Sequence, residues 1–270
     1  MSADSTRQYG LSMVELLVAM ALGLLLTVGA LQMMLASQQL YDTTDSQSRI
    51  QENGRFALDF LSRELSKAYY QTTDIETMAN RTFLTDSCIT TDPNDIDACT
   101  EDDPGHDDNN EDAGDRIGAV FNPENDRDCV GNTVGPDDII ANVFYVDTVD
   151  GISALYCGGF SLESDDWING GPRPLVDGVE SLQILYRVEL AGGGSFSYVS
   201  ADDVTDWAAV SAIRVAVLVN NGQEIGSGNL ETRTFTLLDA GPFSLTDKHE
   251  RQVYSTTITL NNVIYNNAEK

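Results

Sequence analysis

The longest feature of the chain is an apolar run. Residues 11–31 read LSMVELLVAMALGLLLTVGAL, with one charged position among them, Glu15. As a helix at 1.5 Å per residue the run is roughly 30 Å long, the thickness of a bilayer's hydrocarbon core. Residues 38–70 turn polar but contain no proline and a single glycine, Gly54. Ile50, Ala57, Leu61, Leu65 and Ala68 recur there at helical spacing, with Phe60 beside them. The pattern predicts one long helix, apolar on all sides at first and then carrying one apolar stripe, with Arg63, Glu64 and Lys67 on its other faces.

Further on the period changes. Short apolar or alternating runs predict strands at 139–146, 152–157, 182–190, 196–200, 210–219, 232–238 and 253–260. Asp150-Gly151 and Gly192-Gly193-Gly194 mark hairpin tips. Asp203 is placed to cap a short helix carrying Trp207. Strands clustered after one long helix predict an α+β fold: a long N-terminal, partly transmembrane helix packed on an antiparallel β-sheet head. The expected division is 1–10 as a leader, 11–35 as the apolar helix, 36–70 as its amphipathic continuation and 71–270 as the head. With the helix removed, about 200 residues remain, enough for one sizeable domain.

Between helix and strands lies a stretch with no apolar periodicity until Ile117-Gly118-Ala119-Val120-Phe121. Residues 86–129 hold a dense run of acids, Asp115 and Asp128 among them, interspersed with proline, asparagine and glycine, and read as a solvated loop. Asp108-x-Asn110-x-Asp112 has the alternation that suits calcium. It lacks the next glycine and the glutamate seven residues on that an EF-hand requires, so calcium is a minority expectation and no other cofactor is expected. Cys88, Cys99, Cys129 and Cys157 form no C-x-x-C pair, which argues against a zinc ribbon. An even count downstream of a membrane segment points to disulfides. Of the three possible pairings, Cys88–Cys99 and Cys129–Cys157 close the shorter loops.

The loop supplies much of the charge imbalance. Asp and Glu total 43 against 15 Lys and Arg, a net charge of −28. Such a surface repels phosphate backbones, so no nucleic-acid partner is expected. Catalytic signatures are missing too: no G-x-S-x-G, P-loop or H-E-x-x-H occurs. His106 and His249 have no nucleophile motif near them, and Glu180 and Glu189 read as strand solvent faces. The chain is not expected to be an enzyme.

Glu15 demands a reason. A carboxylate inside a membrane helix costs roughly 2.5–3.5 kcal/mol on insertion scales and calls for a partner at the same depth. A cut between Gly10 and Leu11 would create one, the new α-amino group of Leu11, four residues away in the same helix. Between staggered helices, the Glu15 of one subunit meets the Leu11 amine of the next, which neutralises both charges and sets the axial register. A secretory signal peptide has a shorter apolar core. A plain anchor leaves Glu15 unexplained.

The segment Gly10-Leu11-Ser12-Met13-Val14-Glu15-Leu16-Leu17-Val18-Ala19 resembles the class III signal of type IV prepilins. The resemblance implies that Gly10 precedes the cut, that Leu11 becomes the N-methylated terminus, and that Glu15 is the assembly residue. Leu11 stands where phenylalanine is commonest in that family. Three further patches resemble PilW-type minor pilins: NGRFALDFLSREL at 53–65, PLVDGVESLQILY at 174–186 and RQVYSTT at 251–257. What they imply is a minor pilin that helps to initiate or cap type IV pilus assembly near the tip. The implied partners are prepilin peptidase, other minor and major pilins and a PilY-type tip protein. The implied location is the inner membrane with a periplasmic head, and the pilus afterwards. Two alternatives share the N-terminal logic: a J-type minor pseudopilin of a type II secretion system, and an adhesive or calcium-binding tip module.

Overall fold

Ser12 opens the helix. Its carbonyl accepts from Leu16 N (3.1 Å) and its hydroxyl from Val14 N (3.3 Å), which satisfies one of the donors a helix start leaves free. From there α1 runs Met13–Leu65 without a break. The computed structural model describes residues 12–70, 82–85, 87–89, 96–103, 114–123, 127–135, 138–190, 194–222 and 230–262, with no side-chain account at 87–89 and 96–98. Two compact units divide it, 1–45 and 46–270.

In the first unit every described residue from 12 to 42 is exposed. Gly23 and Gly29 lie inside the helix with open space around them, and the Thr27 hydroxyl donates back to the Gly23 carbonyl (2.8 Å). In the second unit α1 buries Ser46, Ile50, Gly54, Ala57, Leu61, Glu64 and Leu65, a stripe of three- and four-residue steps. The helix ends five residues earlier than its pattern predicts. Lys67 N and Ala68 N bond the carbonyls of Glu64 and Leu65 three residues back, and Tyr69 takes a positive φ of 64°. Glu64, predicted on a solvent face, is in fact buried.

Among the described residues thirteen strands follow. They are β1 (Ser87–Ile89), β2 (Ile96–Ala98), β3 (Ile117–Phe121), β4 (Ile140–Val149), β5 (Ile152–Ser161), β6 (Asp166–Trp167), β7 (Arg173–Asp177), β8 (Val179–Glu189), β9 (Phe196–Val199), β10 (Ala212–Asn220), β11 (Glu231–Leu237), β12 (Ala240–Asp247) and β13 (Arg251–Thr259). One sheet has the order β13-β10-β8-β9. A second has β3-β4-β5-β6, with β7 also on β5. β1-β2 and β11-β12 are two-stranded. All of these pairings are antiparallel.

The β4–β5 hairpin turns on Asp150 and Gly151 at φ of 53° and 76°, the two positive values a two-residue turn of that hand requires. The short helix predicted around Trp207 is instead two 3-10 turns, Ala201–Asp203 and Trp207–Ala209. Asp206, not Asp203, caps the second by accepting from Ala208 N (3.0 Å).

One core joins all three layers. Ala57, Leu61 and Leu65 of α1, Phe144 and Leu155 of the β3–β6 sheet, and Leu182, Ile184, Val215 and Val217 of the other sheet belong to a single buried cluster. Each of the leucine, isoleucine, valine and phenylalanine side chains contributes about 1.5–3 kcal/mol relative to exposure. Cys129 and Cys157 are disulfide-bonded at a Cα separation of 6.4 Å, 28 residues apart. In the chain-entropy account a loop of that length is worth about 3.5 kcal/mol. Cys99 is also disulfide-bonded and fully buried, whereas the side chain of Cys88 lies outside the described residues.

Candidate functional site

The apolar stretch of α1 is the first candidate. Leu24, Leu25 and Leu26 are 67%, 70% and 76% exposed, and three consecutive helix positions point in well-separated directions. The helix is therefore bare on more than one face, and it is long and apolar enough to cross a membrane. Glu15 sits in its first turn, where an acid complements the helix dipole. Ser12 and Glu15 have the S-x-x-E spacing of a capping box, a local signal of a helix start. Gly10 and Leu11 lie outside the described residues, as do Asp108, Asn110 and Asp112. Among the described residues no group of three or more His, Cys, Asp or Glu is arranged to hold a metal.

In the head, three buried polar groups organise the chain around α1 and the sheets. The first is Glu64. Its Oε2 accepts from Lys67 Nζ (2.7 Å) and Asn142 Nδ2 (3.3 Å), and its Oε1 from Arg63 Nε (3.4 Å).

The second is Arg251, only 6% exposed at its side chain. Its guanidinium makes a fork to Glu180, with Nη2–Oε1 at 3.0 Å and Nε on Oε2. It makes another to Asp247 at 2.8 and 2.6 Å. These hydrogen bonds hold the Asp247 carboxyl well below the usual carboxylate range. Glu180 is therefore no solvent-face residue. It also accepts from Asn220 Nδ2 (2.6 Å), so β8, β10, β12 and β13 meet at one ionic joint.

The third is Asp115, 2% exposed, which the sequence pattern had placed in a solvated loop. Its Oδ1 accepts from Asp103 N (3.0 Å) and its Oδ2 from Ile184 N (2.6 Å), so it pins the acidic segment to β8. Burial pushes its pKa up to about 8, against the opposing pull of those two bonds. Asp102 is pushed up by burial as well, with Asp239 and Asp202 adding to the effect. The hydroxyl of fully buried Tyr186 finds no hydrogen-bond partner among the described residues, and its ring packs edge-on against Phe83 and Trp207.

Residues 5–31 match the family model described as Prokaryotic N-terminal methylation motif, and residues 143–262 match Type IV Pilus-assembly protein W. The chain is similar to PilW-type pilus-assembly proteins over residues 143–262 and carries the N-terminal methylation motif of type IV pilin-like proteins ahead of them. A type IV-like pilin from Thermus thermophilus, TTHA1219, is similar in structure at a TM-score of 0.46 and 14% identity, over 80% of this chain and 98% of that one. No curated protein matches significantly.

The PilW match takes in the Glu180–Arg251–Asp247 joint. It thereby gives a physical link between two of the sequence patches that resemble the family, 174–186 and 251–257, for one fork of Arg251 clamps them together. The family is one of pilus structural proteins rather than enzymes, and its assembly role implies contact with other pilus components.

Proposed function

We propose that this protein is a minor pilin that helps to initiate or cap a type IV pilus near its tip. The leader would be removed after Gly10 by prepilin peptidase, and the freed Leu11 amine methylated. Glu15 of one subunit would then pair with the Leu11 amine of a neighbour. The observation that carries the reading is the 12–42 stretch of α1. It is helical and exposed throughout, with a single acid in its first turn, ahead of a head that matches PilW. A surface of that kind is stable only in lipid or against other helices. The head would stand in the periplasm before assembly and on the pilus afterwards.

Mass spectrometry of the N-terminal peptide tests the first step. Cells with prepilin peptidase should yield a methylated Leu11 terminus, and cells without it the uncut chain; an uncut chain in both overturns the proposal. Deleting the gene should abolish twitching and leave protein secretion intact, whereas the reverse outcome assigns the protein to a type II secretion filament. Glu15→Ala should preserve membrane insertion and lower incorporation on the order of a hundredfold, the factor that about 2.5–3.5 kcal/mol of lost pairing represents.

A further inference from the structure

Lys67, Glu64 and Asn142 form an arrangement that neither the pilin fold nor the assembly reading uses. Lys67 Nζ donates to Glu64 Oε2 at 2.7 Å, and Asn142 Nδ2 donates to the same oxygen at 3.3 Å. An amine and a carboxamide nitrogen thus stand two hydrogen-bond lengths apart across one buried carboxylate. The other end of the amide is also held: Asn142 Oδ1 accepts from the backbone N–H of Cys129 (3.1 Å), whose side chain is tied to Cys157. The orientation of the amide is fixed by this pair, because a carboxylate only accepts and a backbone N–H only donates. Asn142 is fully buried in β4 and Glu64 is 5% exposed, while the Lys67 ammonium lies 5.7 Å from the Phe121 ring centroid.

We infer that Lys67 and Asn142 form an intramolecular isopeptide bond, with Glu64 as the proton shuttle. The Lys67 ammonium passes a proton along its hydrogen bond to Glu64 Oε2. The neutral amine then swings from Glu64 to attack Asn142 Cγ. Charge developing on Oδ1 is met by the Cys129 N–H, a donor already in place. Glu64 returns its proton to the departing Nδ2. As the tetrahedral centre collapses the amine gives its second proton to the Glu64 carboxylate, which passes it to the released ammonia, and the products are an Nζ–Cγ amide and ammonium. No oxidant, metal or cofactor enters the balance. Ammonium leaves through the open pocket lined by Lys67, Tyr70, Phe121 and Asn262. The Lys67 side chain is 42% exposed, and its bond to the oxygen that also holds Asn142 supplies the proximity the reaction lacks in free solution. The bond would fasten the segment just past α1 covalently to the middle of a sheet, where a pull along the helix would otherwise peel it away.

The experiment uses the full chain, purified from membranes in detergent. Its intact mass should fall short of the disulfide-bonded mass by one ammonia. Tryptic digestion after reduction should release the peptide containing Lys67 joined to the one containing Asn142, with no cleavage at Lys67. Glu64→Gln should restore the full mass. Lys67→Arg keeps the positive charge beside Glu64 and cannot form the amide, so it should also restore full mass while retaining the head's circular dichroism. A wild-type chain of full mass, cleavable at Lys67, overturns the inference. So does loss of ammonia that persists in Lys67→Arg, which would assign it to succinimide formation at another asparagine.

Discussion

α1 is one helix with two solvents. Its first 30 residues present leucine, valine and methionine on every side, and none of them is buried by the chain itself. From Ser46 to Leu65 the same backbone buries a narrow stripe and leaves Glu52, Arg55 and Asp59 outside. Hydrogen bonding is the same in both stretches, so the backbone is not what separates them. The side chains of the second stretch answer to the sheets of this chain. Those of the first answer to whatever apolar medium covers them, and their substitutions should be silent in the folding of the head.

The largest expected contrast pairs two leucines. Leu61 is fully buried among Ala57, Leu65 and Phe144, and Leu61→Ala should cost the head about 2–5 kcal/mol. Leu25→Ala removes an exposed side chain and should leave the head unchanged. Urea unfolding of the full chain in detergent reads the difference, because both tryptophans, Trp167 and Trp207, lie in the head. Equal midpoints for the two variants would mean that the division of α1 into two environments is wrong.

A second contrast pairs two acids. Glu15 lies exposed in the first turn of α1, whereas Asp115 is sealed under β8 with its pKa raised to about 8. In the folded head Asp115 binds a proton across a range where the unfolded chain, titrating near 3.8, has lost it. Stability from this group is therefore fully present below pH 4 and is lost as pH rises towards 8, by a few kcal/mol in all. Asp115→Asn should flatten that decline, leaving the smaller slope from Asp102, whose pKa is raised for the same reason. It should also lower stability at pH 5, since an amide accepts from only one of the two backbone N–H groups that Asp115 serves. An unchanged slope in Asp115→Asn would place the proton elsewhere.

What could be read from the residues divides along the same line. The apolar run, the acid at position 15 and the strands with alternating side chains carry their signals locally, and most strand ends fell within two or three residues. β12 was not legible. It contains Gly241 and Pro242, residues that demote a strand, and its turn to β11 rests on Leu238 at a φ of 51°, where no glycine or asparagine marks it. Glu64 was misplaced although its spacing was right: it follows Ala57 by seven residues and Leu61 by three. Its charge argued for solvent, and only the distant Asn142 explains its burial. Asp115 is the same case without any local period. Its surroundings are set by the bridge between Gly114 and Leu182, 68 residues apart, which no window along the chain can contain.

The smallest contrast is between two glycines. At Gly29 an added methyl group would meet nothing within 4 Å, so Gly29→Ala should only improve helix propensity, by about 1 kcal/mol, with no change in the head. At Gly54 the same methyl group would overlap the ring of Tyr254, which lies on β13 and is half-buried. The helix approaches the sheet there because position 54 has no side chain. Gly54→Ala gains the same propensity but must push the Tyr254 ring aside at about 1–3 kcal/mol, and the ring's hydroxyl is held by its bond to Gln252 Oε1 (3.0 Å). A net loss of about 1 kcal/mol in urea unfolding is expected for Gly54→Ala. The double variant Gly54→Ala with Tyr254→Ala should recover most of that loss relative to Tyr254→Ala alone, because the clash has lost its partner. If Gly54→Ala instead stabilises the head, the stripe of α1 does not lie against β13 as closely as its neighbours require, and the contrast between the two stretches rests on the leucines alone.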